Sequence, residues 1–281
     1  MSAPRAFVVG WPIAHSRSPL IHGTWLKTLD LAGSYEKVAI EPDAFATFVH
    51  GLRDQGFVGG NVTIPHKETA ASLCAHLTPT ARRLGVANTL WFEDGRLCGD
   101  TTDGAGFLGA LDQDAPGWDQ RRDLAIVLGA GGAARAIVDA LLQRGFARVI
   151  VANRSPERAD LLVRHLRDVR CEAAGFDAAE RAASGADLLV NTTSAGMHGQ
   201  PELVFDIGTL PDHAVVDDIV YIPRKTGLLS GAEARGLRTV GGLGMLLHQA
   251  VPGFEHWFGV KPRVTPDLRA VIEADIAAAG T

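Results

Sequence analysis

Leu124-Ala125-Ile126-Val127-Leu128-Gly129-Ala130-Gly131-Gly132-Ala133-Ala134 decides the fold of this chain. Five apolar residues read as a buried strand, G-x-G-x-x-A follows at once, and Arg135 to Gln143 read as a helix. In that context each small residue has a task. Gly129 permits a tight turn, Gly131 lets backbone approach a pyrophosphate, and Ala134 allows close helix packing. The helix start adds unpaired N–H groups that favour phosphate. Gly129, Ala130, Gly131, Gly132 and Ala133 are therefore the expected cofactor loop of a doubly wound, Rossmann-type domain.

The next strand, Arg148-Val149-Ile150-Val151-Ala152, ends in Asn153-Arg154-Ser155-Pro156-Glu157-Arg158 and not in the acid that binds a free ribose 2′-hydroxyl. A carboxylate repels a 2′-phosphate, whereas guanidinium attracts it. Arg154 and Arg158, four apart around a helix start, form a candidate phosphate clamp with Asn153 and Ser155 beside them. The expected cofactor is NADP (NADPH).

Outward from this unit the α/β rhythm continues in both directions. Residues 6–10, 34–40 and 57–64 read as strands and 19–30, 43–54 and 67–75 as helices, which predicts an α/β layer with a mostly parallel sheet. Ser18 reads as the N-cap of the first helix, with Pro19 in its first turn. Segments 86–93 and 96–100 flank Asp94-Gly95 and predict an antiparallel edge hairpin. Beyond the polar loop 112–123, strands are expected at 124–128, 148–152, 187–191, 214–219 and 237–240. Helices are expected at 132–143, 156–166, 243–257 and 266–279. The fold class is α/β with two domains: residues 1–104 completed by 243–281, and a nucleotide domain of residues 105–242. A crevice between them is expected to hold both ligands and to close on them.

A length of 281 residues exceeds the usual single domain of about 100–200. Charged residues at 21% and a net charge of −5 provide no basic stripe, so nucleic acid is not an expected partner. Cys74, Cys98 and Cys171 are scattered, odd in number and without CxxC spacing, which points to a reducing compartment and away from a disulfide frame or zinc site. Met1 to Arg5 lead straight into Ala6-Phe7-Val8-Val9-Gly10, and no run of about 18 apolar residues occurs. The expectation is a soluble cytoplasmic protein with no membrane partner.

Asn61-Val62-Thr63-Ile64-Pro65-His66-Lys67 places a cation at the end of an apolar strand. Proline has no N–H to donate and ends pairing, so Thr63 and Lys67 are expected where the sheet stops and a ligand enters. Asp103, in Asp100-Thr101-Thr102-Asp103-Gly104, follows another strand. Alone, Lys67 reads as a solvated helix charge and Asp103 as a helix cap. Within hydrogen-bond reach of each other they form a proton-transfer pair beside a hydride donor. His15, His22, His66 and His248 match no common ligand spacing, so no metal site is expected.

The sequence resembles the shikimate dehydrogenase family nearly end to end. The resemblance is carried in order by Gly10 to Pro19, Asn61 to Lys67, Val86-Ala87-Asn88-Thr89, Thr102-Asp103-Gly104, the glycine loop, Asn153 to Arg158, Asn191 to Met197, Asp218 to Pro223 and Gly244 to Ala250. It implies that Ser16, Ser18, Thr63, Lys67, Asn88, Asp103, Tyr221 and Gln249 surround a ring bearing a carboxylate and several hydroxyls. It also implies that Thr192, Ile219, Gly242 and Met245 join the cofactor site. The activity implied is NADPH-dependent, reversible reduction of 3-dehydroshikimate to shikimate, a step toward aromatic amino acids, by a monomer or homodimer with Lys67 and Asp103 as the catalytic pair. Gly23, Pro79, Thr101 and Gly241 depart from the family pattern. A quinate or quinate/shikimate dehydrogenase is the near alternative. A non-catalytic NADPH-sensing protein and a folate-processing dehydrogenase of similar build are the remote ones.

Overall fold

The apolar runs pair into two separate sheets in the computed structural model, which describes residues 3–279. The chain divides into two units, one running to Thr102 and resuming at Gln249, the other spanning Asp103–His248.

The first unit comprises β1 (Arg5–Gly10), α1 (Ser18–Thr28), β2 (Ser34–Ala39), α2 (Phe45–His50), β3 (Phe57–Val62), α3 (Lys67–Leu73), β4 (His76–Leu77), α4 (Pro79–Leu84), β5 (Thr89–Glu93) and β6 (Arg96–Asp100). The described residues order these strands β2-β1-β3-β5-β6-β4. β1 runs parallel to β2 and β3, whereas β5 is antiparallel to β3 and β6. The predicted hairpin forms but is not the edge, because two-residue β4 pairs parallel outside β6. After exposed Arg5, β1 is apolar from Ala6 to Gly10 because both its faces are covered there. Phe7 and Val9 join Phe45, Phe48, Phe57 and Val62 on one side. Ala6 and Val8 meet Tyr35, Trp91 and Trp257 on the other.

The second unit comprises α5 (Asp103–Asp114), β7 (Leu124–Leu128), α6 (Gly132–Arg144), β8 (Arg148–Ala152), α7 (Pro156–Leu166), β9 (Cys171–Ala174), α8 (Phe176–Ala182), β10 (Leu188–Asn191), β11 (Val215–Asp218), α9 (Gly227–Ala234), β12 (Arg238–Gly241) and α10 (Leu243–His248). Its strands are all parallel in the order β12-β11-β10-β7-β8-β9, the doubly wound arrangement. Strand order reverses between β7 and β10, so ligands are expected at the carboxyl ends of these two strands. The first unit is completed by α11 (Val251–Phe258) and α12 (Pro266–Ala279). Trp257 Nε1 donates to Leu90 O at 2.8 Å and Trp25 Nε1 to Arg263 O at 3.0 Å, tying this C-terminal segment to the first sheet and to α1.

Several boundaries differ from expectation for local reasons. Arg17, not Ser18, holds the N-cap position of α1, and no side chain caps it. The helix expected over 43–54 opens as a 3-10 turn at Pro42–Ala44 and stops at His50, ahead of Gly51. The helix expected over 243–257 is two, with Gln249 in the turn between α10 and α11 and Pro252 in the first turn of α11. α5 begins at Asp103 itself, so this residue sits in the first turn instead of capping from outside. No helix among the described residues is long and apolar enough to cross a membrane.

Candidate active site

In the first unit the expected substrate residues sit where strands end. Ser16 and Ser18 follow β1, and Ser16 Oγ donates to Ser18 Oγ at 3.3 Å. Half-buried Thr63 lies just past β3, its N–H donating to Val9 O at 2.9 Å. Half-buried Lys67 opens α3, and its carbonyl accepts from the Ala87 N–H at 2.9 Å, which stitches the Lys67 backbone to the residue before Asn88. Beneath this helix start, buried His66 stacks on Phe45 at 4.3 Å and places Nε2 2.8 Å from Ile40 O. Burial lowers its pKa. The histidine fixes the loop that delivers Lys67.

A buried hydrogen-bond chain lies behind these groups. Tyr35 OH donates to Asn61 Oδ1 at 2.6 Å, and Asn61 Nδ2 donates to Asn88 O at 3.1 Å and Thr89 Oγ1 at 3.2 Å. Asn88 Oδ1 accepts from the Thr102 N–H at 2.9 Å and from Thr89 Oγ1 at 3.0 Å, so the protein sets its orientation. Thr102 Oγ1 donates to Gln249 O at 2.8 Å, which anchors the turn carrying Gln249. Asp103, buried, is the next residue after Thr102.

Tyr35 is held in place by His22, whose ring stacks on it at 4.0 Å within a cage of Trp25, Phe254 and Trp257. His22 is fully buried, and burial pushes its pKa down to about 3. A depressed histidine contributes stability that is complete above the unfolded value of about 6.5 and is lost as pH falls toward 3, with a slope of up to about 1.4 kcal/mol per pH unit. His22→Phe is therefore expected to flatten the decline of unfolding free energy between pH 6 and about 4, measured by urea titration. An unchanged slope would contradict this origin of acid sensitivity.

In the second unit Gly129 follows β7 with φ +110°, and an added Cβ would lie 2.5 Å from Thr192 Oγ1. That hydroxyl donates to Leu128 O at 2.7 Å, so the ends of β7 and β10 are locked together. Gly242 is equally restricted, since a Cβ there would lie 2.0 Å from Ile219 O. Asn191 Nδ2 and Thr226 Oγ1 donate to the Asp218 carboxylate at 3.0 and 2.7 Å, and the Val220 N–H donates at 3.0 Å. Asn191 Oδ1 also accepts from Thr193 Oγ1 at 2.7 Å. This network orders the segments that carry Thr192, Ile219 and half-buried Tyr221.

These residues suit a dinucleotide phosphate. Gly131 and Gly132 are exposed at the start of the 13-residue α6, and space is open where a Cβ would stand, so backbone N–H groups can face a pyrophosphate. Ala130 and Ala133 flank them, and Met245 lies half-buried on α10. After β8 come Asn153, Arg154, Ser155 and Arg158, with both arginines exposed. Arg154 lines a cleft of about 340 Å³ with Phe176, Thr193, Ser194, Glu202 and Val204. It also lines a second cleft, of about 470 Å³, against α8.

Residues 8–90 match the family described as "Shikimate dehydrogenase substrate binding domain", residues 114–202 "Shikimate / quinate 5-dehydrogenase" and residues 242–272 "Shikimate 5'-dehydrogenase C-terminal domain". A relative from Methylocella silvestris, "Shikimate dehydrogenase (NADP(+))", is 58% identical over 98% of both chains. The chain belongs to the shikimate dehydrogenase family. Among solved structures, shikimate 5-dehydrogenase from Thermus thermophilus in complex with NADP(H) and shikimate is similar at TM-score 0.84 and 35% identity, covering 98% of this chain and 99% of its own. Quinate dehydrogenase from Corynebacterium glutamicum in complex with NAD is similar at TM-score 0.88 and 27% identity, covering 98% and 100%.

The supporting residues of this shikimate dehydrogenase family member were less visible in the sequence. Tyr35 and Thr226 carried no role there, and Asn61, Thr89 and Asn191 were only parts of motifs. A signal did exist for Asn61, because asparagine is depleted in strands and a buried one must have its amide satisfied.

Proposed function

We propose that this chain is an NADP-dependent shikimate dehydrogenase that reversibly reduces 3-dehydroshikimate to shikimate on the way to aromatic amino acids. The observation that carries this reading is the match, at 58% identity over 98% of both chains, to a "Shikimate dehydrogenase (NADP(+))". The unit holding Lys67 is the substrate-binding domain, and the unit holding Gly129 is the NADP domain. NADPH, when bound, supplies the hydride that reduces the ring ketone. Lys67 stabilises the negative charge that grows on the ketone oxygen and delivers the proton that completes the hydroxyl. In the reverse direction it takes that proton back. Asp103 holds the ammonium group and a ring hydroxyl. Ser16, Ser18 and Tyr221 donate to the substrate carboxylate, while Thr63, Asn88 and Gln249 hold ring oxygens. Gly129 to Ala133, Thr192, Ile219, Gly242 and Met245 hold the cofactor, and Asn153, Arg154, Ser155 and Arg158 take its adenosine 2′-phosphate end. The enzyme works in the cytoplasm as a monomer or homodimer, a setting in keeping with its three free cysteines.

Steady-state kinetics with shikimate and quinate, each with NADP and NAD, test the reading. The expected result is the highest kcat/KM for shikimate with NADP. Equal or better turnover of quinate with NAD would replace the reading with that of the C. glutamicum enzyme. Arg154→Ala is expected to weaken NADPH roughly tenfold or more and leave NADH little changed, since a charge-assisted contact to phosphate is lost. Equal losses for both cofactors, in fluorescence titrations, would contradict the role given to Arg154.

A further inference from the structure

We propose that Arg181 of α8 is a further grip on the cofactor's 2′-phosphate, so that NADP selectivity rests on the helix after β9 as well as on the segment after β8. The proposal rests on the cofactor reading above and adds a residue that lies outside the sequence motif. α8 buries Ala179, and Ala183 just beyond it, against the sheet. Asp177, Ala178 and Arg181 therefore take the opposite side, being related by one and four residues. With Arg154, Gly175 and Phe176 they line the cleft of about 470 Å³. Two arginines thus line one open space, and Arg158 lines neither of the two clefts around Arg154.

Four arginines of the same unit are neutralised where they stand. Arg144, Arg148, Arg164 and Arg170 each meet a carboxylate. Among the described residues Arg154 and Arg181 have no ion pair and no side-chain hydrogen bond. Asp177 stands four residues before Arg181 on α8, a spacing at which acidic and basic side chains pair on helices, yet they form no ion pair. The cleft accordingly keeps two cations against one carboxylate, in a protein whose net charge is −5. A dianionic phosphate monoester matches that imbalance, because each guanidinium presents a planar fork to its oxygens.

The probes are 2′,5′-ADP and 5′-AMP, which differ only by the 2′-phosphate, titrated calorimetrically into the full chain. Arg181→Ala is expected to weaken 2′,5′-ADP about five- to tenfold and to leave 5′-AMP unchanged, with Arg181→Lys between parent and alanine. An Arg181→Ala protein that keeps the parent's preference for 2′,5′-ADP overturns the proposal alone. Equal weakening of both probes also overturns it, since the loss would then not concern the phosphate. A parent that binds both probes alike overturns the proposal and the NADP reading together.

Discussion

Lys67→Ala is expected to lower kcat for 3-dehydroshikimate reduction by about 10²- to 10⁴-fold, the usual effect of removing a positioned proton donor. KM should change far less, because the hydroxyls and amides assigned to the substrate remain. The structure gives a reason to expect so large an effect from one half-buried lysine. Lys67 opens α3 after the four-residue turn that follows β3, next to a stacked His66–Phe45 pair, and its carbonyl is bonded to the Ala87 N–H. These contacts fix the backbone from which the Lys67 side chain starts, which limits where its ammonium can reach. Lys67→Arg should fail nearly as badly, because guanidinium keeps the charge but does not release a proton near neutral pH. Steady-state rates with saturating NADPH, alongside circular dichroism to confirm folding, decide the matter. A near-parental kcat in Lys67→Ala would remove it from the chemistry.

Gly129→Ala is the second change with a large expected effect. At φ +110° any side chain is strained, and the new Cβ would press on Thr192 Oγ1 at 2.5 Å. Strain of about 1–3 kcal/mol corresponds to roughly 5- to 150-fold in an equilibrium. It should appear both as a lower melting temperature and as weaker NADPH binding, because relief requires the ends of β7 and β10 to move apart. Gly131→Ala provides the contrast. Its Cβ meets nothing within 4 Å, so the fold should melt as before, while NADPH weakens because the methyl group stands where backbone is to approach the pyrophosphate. Parental NADPH affinity in both variants would dissociate this loop from the cofactor.

The nucleotide unit was the more legible half of the sequence because its signals are local. A strand, a glycine turn and a helix follow one another within residues 124–144, and parallel strands buried on both faces read as unbroken apolar runs. β9 and α8 were missed: Cys171–Ala174 is only four residues long and carries two exposed ones, and the alanine-rich segment after it has no strong period. α9 was missed as well, although Thr226 caps it. In the first unit β4 has two residues, too few for any pattern, yet it displaces the predicted hairpin from the sheet edge.

The site was legible as residue types but not as a scaffold. The Tyr35–Asn61 bond spans 26 residues of sequence and the Thr102–Gln249 bond spans 147. Such pairings are set by strand order and helix return, which local spacing does not encode. Arg181 belongs to the same class. It reaches the cleft that Arg154 lines only because β9 lies beside β8 in the sheet. A residue can thus contribute to selectivity without belonging to any short motif.

The account is tested most directly by following the label. The wild-type chain is given 3-dehydroshikimate and NADPH carrying deuterium at both nicotinamide C4 positions, and the product is analysed by mass spectrometry and NMR. The prediction is shikimate carrying a single deuterium on the newly formed carbinol carbon. No reduction, or shikimate without the label, would contradict it.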